Sequence, residues 1–219
     1  MSKSAPVSVE TLPLWVTAQL VADWWFDPTD TKVGIIGIPD AVRAGGDSHP
    51  AGPLAATATE QLGIQMDSVA ALASAIGSPI TLAEEYERLM VGPGRTPCPP
   101  YESMWLEDAP QQRGIMMGSA AGQVLALYRR AGLSVRSHHG ELPDHLLVEF
   151  EALTWCLEKD SAKLIATTLL NDHLLIWLPR FCESVVKETS HPYYRTLATL
   201  TPIWVAAIAD QLDRRDIES

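Results

Sequence analysis

His138, His139, Asp144 and His145 fall in one short stretch of the chain. Imidazole nitrogens and a carboxylate can ligate a divalent metal, and a bound metal acidifies water enough to make a hydrolytic nucleophile. On that reading the chain is a metal-dependent all-α phosphohydrolase. The spacing argues against it. The two adjacent histidines sit in a turn, no HExxH pair is present, and His173 would have to come across from another helix. Imidazoles in polar loops are commonly only solvated. No Ser-His-Asp arrangement stands out, and Gly92-Pro93-Gly94-Arg95 lacks the lysine-serine ending of a phosphate loop. Cys98, Cys156 and Cys182 are odd in number and contain no CxxC pair, so reduced thiols are expected and not a zinc ribbon or a disulfide framework. The expectation is a binding protein: not an enzyme, with no catalytic residue, metal or cofactor.

The charge balance narrows the partner. A net charge of −11 and a pI near 4.9 leave no basic face to displace phosphate counterions, which argues against nucleic acid. An acidic surface suits a basic partner or merely keeps the protein in solution. Between Glu141 and Asp160 six acids (Glu141, Asp144, Glu149, Glu151, Glu158, Asp160) face one lysine, Lys159, a net of −5. Such a run is either a solvated face or a docking surface for a basic segment. The seven tryptophans read first as core and second as an aromatic-lined groove. The start, MSKSAPVSVETLPLW, lacks the pattern of a signal peptide, and apolar runs such as Leu174–Leu178 are too short to cross a bilayer. A cytoplasmic protein with no membrane insertion is expected.

Helical spacing dominates the elements that position these residues. Leu12, Trp15, Val16, Gln19 and Leu20 form an i, i+3, i+4 stripe closed by Asp27-Pro28. Lys32–Pro39 reads equally as a short strand or a weak helix. Ala-rich helices are predicted over about 54–62 and 67–76, ending at Gly63 and Gly77. Thr81 and Glu84 form a capping box before a helix that ends at Gly92. From Gly92 to Pro110 five prolines forbid regular structure, and a loop of this length is commonly functional or a linker. A helix over 115–131 closes at Gly132. Asp144 caps the next, whose Leu146, Leu147, Phe150, Leu153 and Leu157 repeat at helical spacing. A helix from Ser161 to Val186 should kink at Pro179. Ser190 caps the last, which carries Pro192 in its first turn and a second kink at Pro202. The fold predicted is all-α: one domain over residues 1–219, a bundle of roughly eight or nine helices with the proline-rich loop 92–110 inside it.

Three stretches resemble the TorD/DmsD/NarJ family of chaperones for molybdopterin oxidoreductases. They are GPGRTPCPPYESMW (Gly92–Trp105) after the helix AEEYERLM, ELPDHLLVEFEAL (Glu141–Leu153), and HLLIWLPRF followed by HPYYRTLATLT (His191–Thr201). Before residue 80 the likeness is confined mainly to LWVTAQLVADWW. The resemblance implies an all-helical cytoplasmic chaperone, monomer or homodimer. It would bind the twin-arginine leader or apoprotein of one catalytic subunit and hold it until the bis-guanine-dinucleotide molybdenum cofactor is inserted, delaying export. A regulatory adaptor with the same fold and another client stays open beside it.

By the same resemblance, Pro143, Asp144 and His145 border a peptide-binding groove, with Asp144 toward the arginines of the leader and Glu149 near the same helical face. The plain reading of these three is a turn proline, a cap and a neighbouring histidine. Pro100, Tyr101, Ser103 and Trp105 either line the groove or simply pack under their loop. Pro99 and Pro100 would keep such a groove pre-formed, lowering the ordering cost of binding. Trp177, Pro179, His191 and Tyr194 read as structural.

Overall fold

A computed structural model describes residues 12–25, 53–76, 79–92, 96–106, 118–135 and 142–217. Among them are nine α-helices and no strand; the one extended pairing is an isolated antiparallel bridge between Tyr101 and His145. The all-α expectation holds. The helices are α1 (Leu14–Trp25), α2 (Pro53–Gln61), α3 (Met66–Ser74), α4 (Pro79–Tyr86), α5 (Ser119–Arg130), α6 (Leu146–Glu158), α7 (Lys163–Thr168), α8 (Leu175–Glu188) and α9 (Pro192–Ile217). Lys32–Pro39, Asp27-Pro28, Gly77, His138, His139 and Glu141 lie outside the described residues.

Helix α1 is the axis of the core. It packs on α6 and α9, and ten of its twelve residues are buried. A helix apolar nearly all round belongs inside a bundle. The tryptophans fasten it. Trp25 Nε1 donates to Thr201 Oγ1 at 2.8 Å, Trp204 Nε1 donates to the Thr17 carbonyl at 3.0 Å, and Trp24 meets Trp204 edge to face at 5.0 Å. Trp25 and Trp204 thus bury their rings and find a partner for the one donor of each indole. Trp25, Trp177 and Trp204 are among the largest fully enclosed side chains, so for these the core reading holds.

Two helix ends follow from glycine. Gly63 and Gly132 adopt φ of +68° and +76°, which lets Ile64 N donate to Thr59 O at 3.0 Å and Leu133 N to Tyr128 O at 2.8 Å. This is the left-handed glycine closure expected after α2 and α5.

Three cap assignments are corrected. Helix α4 begins at Pro79, so Thr81 lies inside it and not at its cap. His145 caps α6, its Nδ1 accepting from Leu147 N at 3.2 Å, while Asp144 is turned elsewhere. His191 and not Ser190 precedes α9, its Nδ1 accepting from Tyr193 N at 3.2 Å, with Pro192 in the first turn as expected. Local propensity favours aspartate and serine at caps; here each stands one residue before the cap position, and the Asp144 side chain is drawn off by a distant partner.

The helix expected from Ser161 to Val186 is broken in type. A 3-10 turn (Asp160–Ala162) leads into α7, a π-helical turn spans Leu169–Leu174, and α8 carries Pro179 to Glu188. A second π turn, Glu87–Val91, ends α4 at Gly92. Wide turns of this kind re-aim side chains and recur at functional sites. The first brings His173 inward. Helix α9 keeps one helix type through Pro202.

Candidate peptide-binding seam

The proline loop and the Pro143-Asp144-His145 turn lie against each other. Leu146 N donates to Pro100 O at 2.8 Å and Glu102 N to Asp144 O at 2.9 Å, flanking the Tyr101–His145 bridge. Ser103 N donates to Asp144 Oδ2 at 3.1 Å, which is why Asp144 does not cap α6. The rings of Tyr101 and His145 meet edge to face at 5.0 Å. Tyr128 reaches over from α5 and donates to Pro143 O at 2.8 Å. Trp105 Nε1 closes the loop on the Pro99 carbonyl at 2.8 Å, and its ring abuts Phe181. The eight residues expected at a groove are therefore gathered along one seam between residues 96–106 and 142–149. Tyr101, Trp105 and Pro143 are half-buried on it.

The electrostatic expectation needs correction. Asp144 and Glu149 are wholly buried and Glu151 nearly so, so these acids form no solvated rim. Of the run's other described acids, Glu158 and Asp160 are exposed, and Glu158 pairs with Lys159 at 3.3 Å. The buried acids meet others. Glu102, at 1% exposure, holds His173 Nδ1 at 2.9 and 3.0 Å through its two oxygens. Trp177 Nε1 donates to Glu149 Oε2 at 3.1 Å. Burial foremost, then the charges of Glu102 and Asp144, push the Glu149 carboxyl well above its ordinary range, against the indole bond that favours its ionised form. Burial, then Glu149, Glu102 and Asp144, likewise raises the Tyr128 phenol. His145 is pulled down to about 4 by burial, so its ring is neutral and Nδ1 is free to cap.

Sequence reasoning did not single out Glu102 and met His173 only as a distant metal ligand. The pairing spans 71 residues, and no local pattern reveals it. The signal was an acid directly behind Tyr101 in a loop otherwise made of proline and aromatic residues. Asp144 and His145 are committed to backbone amides, and among the described residues no group of three or more His, Cys, Asp or Glu could hold a metal ion. Cys98, Cys156 and Cys182 are free and buried. No described helix is long and apolar enough to cross a membrane.

A sequence profile described as the nitrate reductase delta subunit matches residues 60–183, a span that holds both sides of this seam. The chain belongs to that family, which includes the NarJ, TorD and DmsD proteins. Among curated relatives, the Tat proofreading chaperone DmsD of Salmonella typhi is 26% identical over 132 residues, covering 60% of this chain and 62% of the relative. The chaperone protein TorD of a Shewanella species is 29% identical over 140 residues, covering 62% and 65%. TorD of Shewanella pealeana is 28% identical over 138 residues, covering 61% and 62%. The match thus spans a little under two thirds of the length of these relatives.

Proposed function

We propose that this protein is a cytoplasmic chaperone of the catalytic subunit of a molybdenum oxidoreductase. It binds that subunit through its leader peptide or apoprotein, assists cofactor insertion and delays twin-arginine export until maturation is complete. The observation that carries this reading is the seam itself. Two of the three family-like segments, Gly92–Trp105 and Glu141–Leu153, are distant in sequence yet joined by backbone hydrogen bonds at Pro100–Leu146 and Glu102–Asp144. Both segments fall within the residues matched by the family profile, and the relatives carry the words chaperone and Tat proofreading in their names.

The mode of recognition is a peptide laid along a groove, with apolar residues of the leader against Tyr101, Trp105 and Pro143 and its arginines toward the acids behind them. Nothing in this mode needs covalent turnover, and the cofactor belongs to the client. Affinity purification of the tagged chain from its own organism tests the proposal. A molybdoenzyme catalytic subunit lacking its cofactor should co-purify, and less of it once its leader is deleted. Recovery of only mature, cofactor-loaded enzyme, or of no such subunit, would contradict it.

A further inference from the structure

The seam hides an acid pair that two negative charges alone do not explain. Glu149 on α6 is wholly buried, and the charge of Glu102, itself buried on the 3-10 turn, acts on its carboxyl. The groups facing it come from every side: Glu102 with His173 behind it, Asp144 from the turn before α6, Tyr128 from α5 and Trp177 from α8. The indole occupies Oε2; Oε1 has no donor. A proton on this carboxyl removes the cost of a second buried negative charge beside Glu102. Two further buried oxygens of the seam, Asp144 Oδ1 and Ser103 Oγ, also lack any donor. Buried acceptors without donors are costly, and a cation bearing several N–H groups supplies what they lack.

We infer that Glu149 holds a proton in the free protein, and that a guanidinium entering the seam takes its place, so that leader binding releases one proton. This rests on the peptide-binding reading above. Glu149 passes from neutral acid to carboxylate, the proton leaves to solvent, and the arginine pairs with the acids that remain. Entry would need residues 100–103 to lift from Asp144–Leu146, opening the two backbone hydrogen bonds of the Tyr101–His145 bridge, the Ser103 N–Asp144 Oδ2 bond and the contact between the Tyr101 and His145 rings.

The test is calorimetry on the full chain with a synthetic peptide carrying paired arginines and a leucine stretch. Repeating the titration in buffers of different ionisation enthalpy counts protons. One proton released per peptide is expected, with affinity rising with pH across the interval in which Glu149 holds its proton, because release favours binding as pH rises. Glu149→Gln keeps the donor geometry of the neutral acid and cannot ionise; it should release no proton and bind with no pH dependence. Glu102→Gln removes the neighbouring charge but not the burial of Glu149, so it should keep the release and move its pH dependence to lower pH, which guards against one variant failing to fold. Infrared difference spectra between wild type and Glu149→Gln should show a protonated-carboxyl band in the free wild-type protein. Peptide binding with buffer-independent heat, or without that band, overturns the proton inference and leaves the chaperone reading standing. No binding in any buffer overturns both.

Discussion

The Nδ1 atom of His145 can accept the Leu147 amide proton only while the ring is neutral. Burial holds the folded pKa near 4, whereas an unfolded histidine titrates near about 6.5. Above the unfolded value both states are neutral and the contribution to stability is complete. Below it the unfolded chain takes up a proton that the folded chain excludes, so stability falls between about pH 6.5 and 4, by roughly 3 kcal/mol at most. His145→Asn keeps a capping side chain without a titration. Its denaturation midpoint should fall less steeply across that interval than the wild type's; parallel slopes would contradict the assignment. Local rules placed Asp144 at the cap because they weigh only near neighbours. Its real partner, Ser103 N, is 41 residues away.

Between elements, Glu85 plays a similar part at the other end of the bundle. From α4 it accepts from Thr189 Oγ1 at 2.7 Å and Ser190 N at 2.9 Å, fixing the corner between α8 and α9, and holds Arg88 through both oxygens. Burial would raise its pKa, but the bonds from Arg88, Thr189 and Ser190 outweigh that and leave it near 2. The folded value is depressed, so this contribution is present above about pH 4.5 and lost as pH falls toward 2, a window below that of His145. Glu85→Ala leaves the Thr189 hydroxyl and Ser190 amide without their acceptor and should cost about 1–3 kcal/mol. Chemical denaturation reads this as a lower midpoint at unchanged slope, and an unmoved midpoint would sink the account. Ser190 was expected to cap α9, but the helix begins at Pro192, which leaves His191 at the cap. The helices themselves were legible, since apolar spacing and glycine ends at Gly63 and Gly132 are local signals. The π turn at Leu169–Leu174 was not, because the contact it serves, His173 on Glu102, is made only in the folded chain.

At the scale of the molecule, the acidic run from Glu141 to Asp160 shows what composition cannot divide. Asp144 and Glu149 are enclosed and Glu158 and Asp160 exposed, though all count alike in a net charge. On the proposed reading, the exposed acids would act on a leader mainly through association rate and orientation, since a solvated pair contributes only about 0–1 kcal/mol. Burying a leucine-sized side chain contributes about 1.5–3 kcal/mol. Replacing two leucines of the leader by asparagine should therefore weaken binding far more than neutralising the exposed acids by Glu158→Gln and Asp160→Asn. Loss of all binding with that double variant while the asparagine peptide binds normally would show the reverse.

The central claim is that a leader docks along the seam between residues 96–106 and 142–149, and titration calorimetry of the full chain with the synthetic leader tests it most directly. The wild type should bind one peptide per chain. Tyr101→Ala removes the ring that meets His145 at the seam and should weaken binding by at least about tenfold, roughly 1.4 kcal/mol, with helical circular dichroism unchanged. Ile203→Ala, an exposed site on α9 and the control, should bind as the wild type does. Binding that survives Tyr101→Ala intact and is lost with Ile203→Ala would contradict the account.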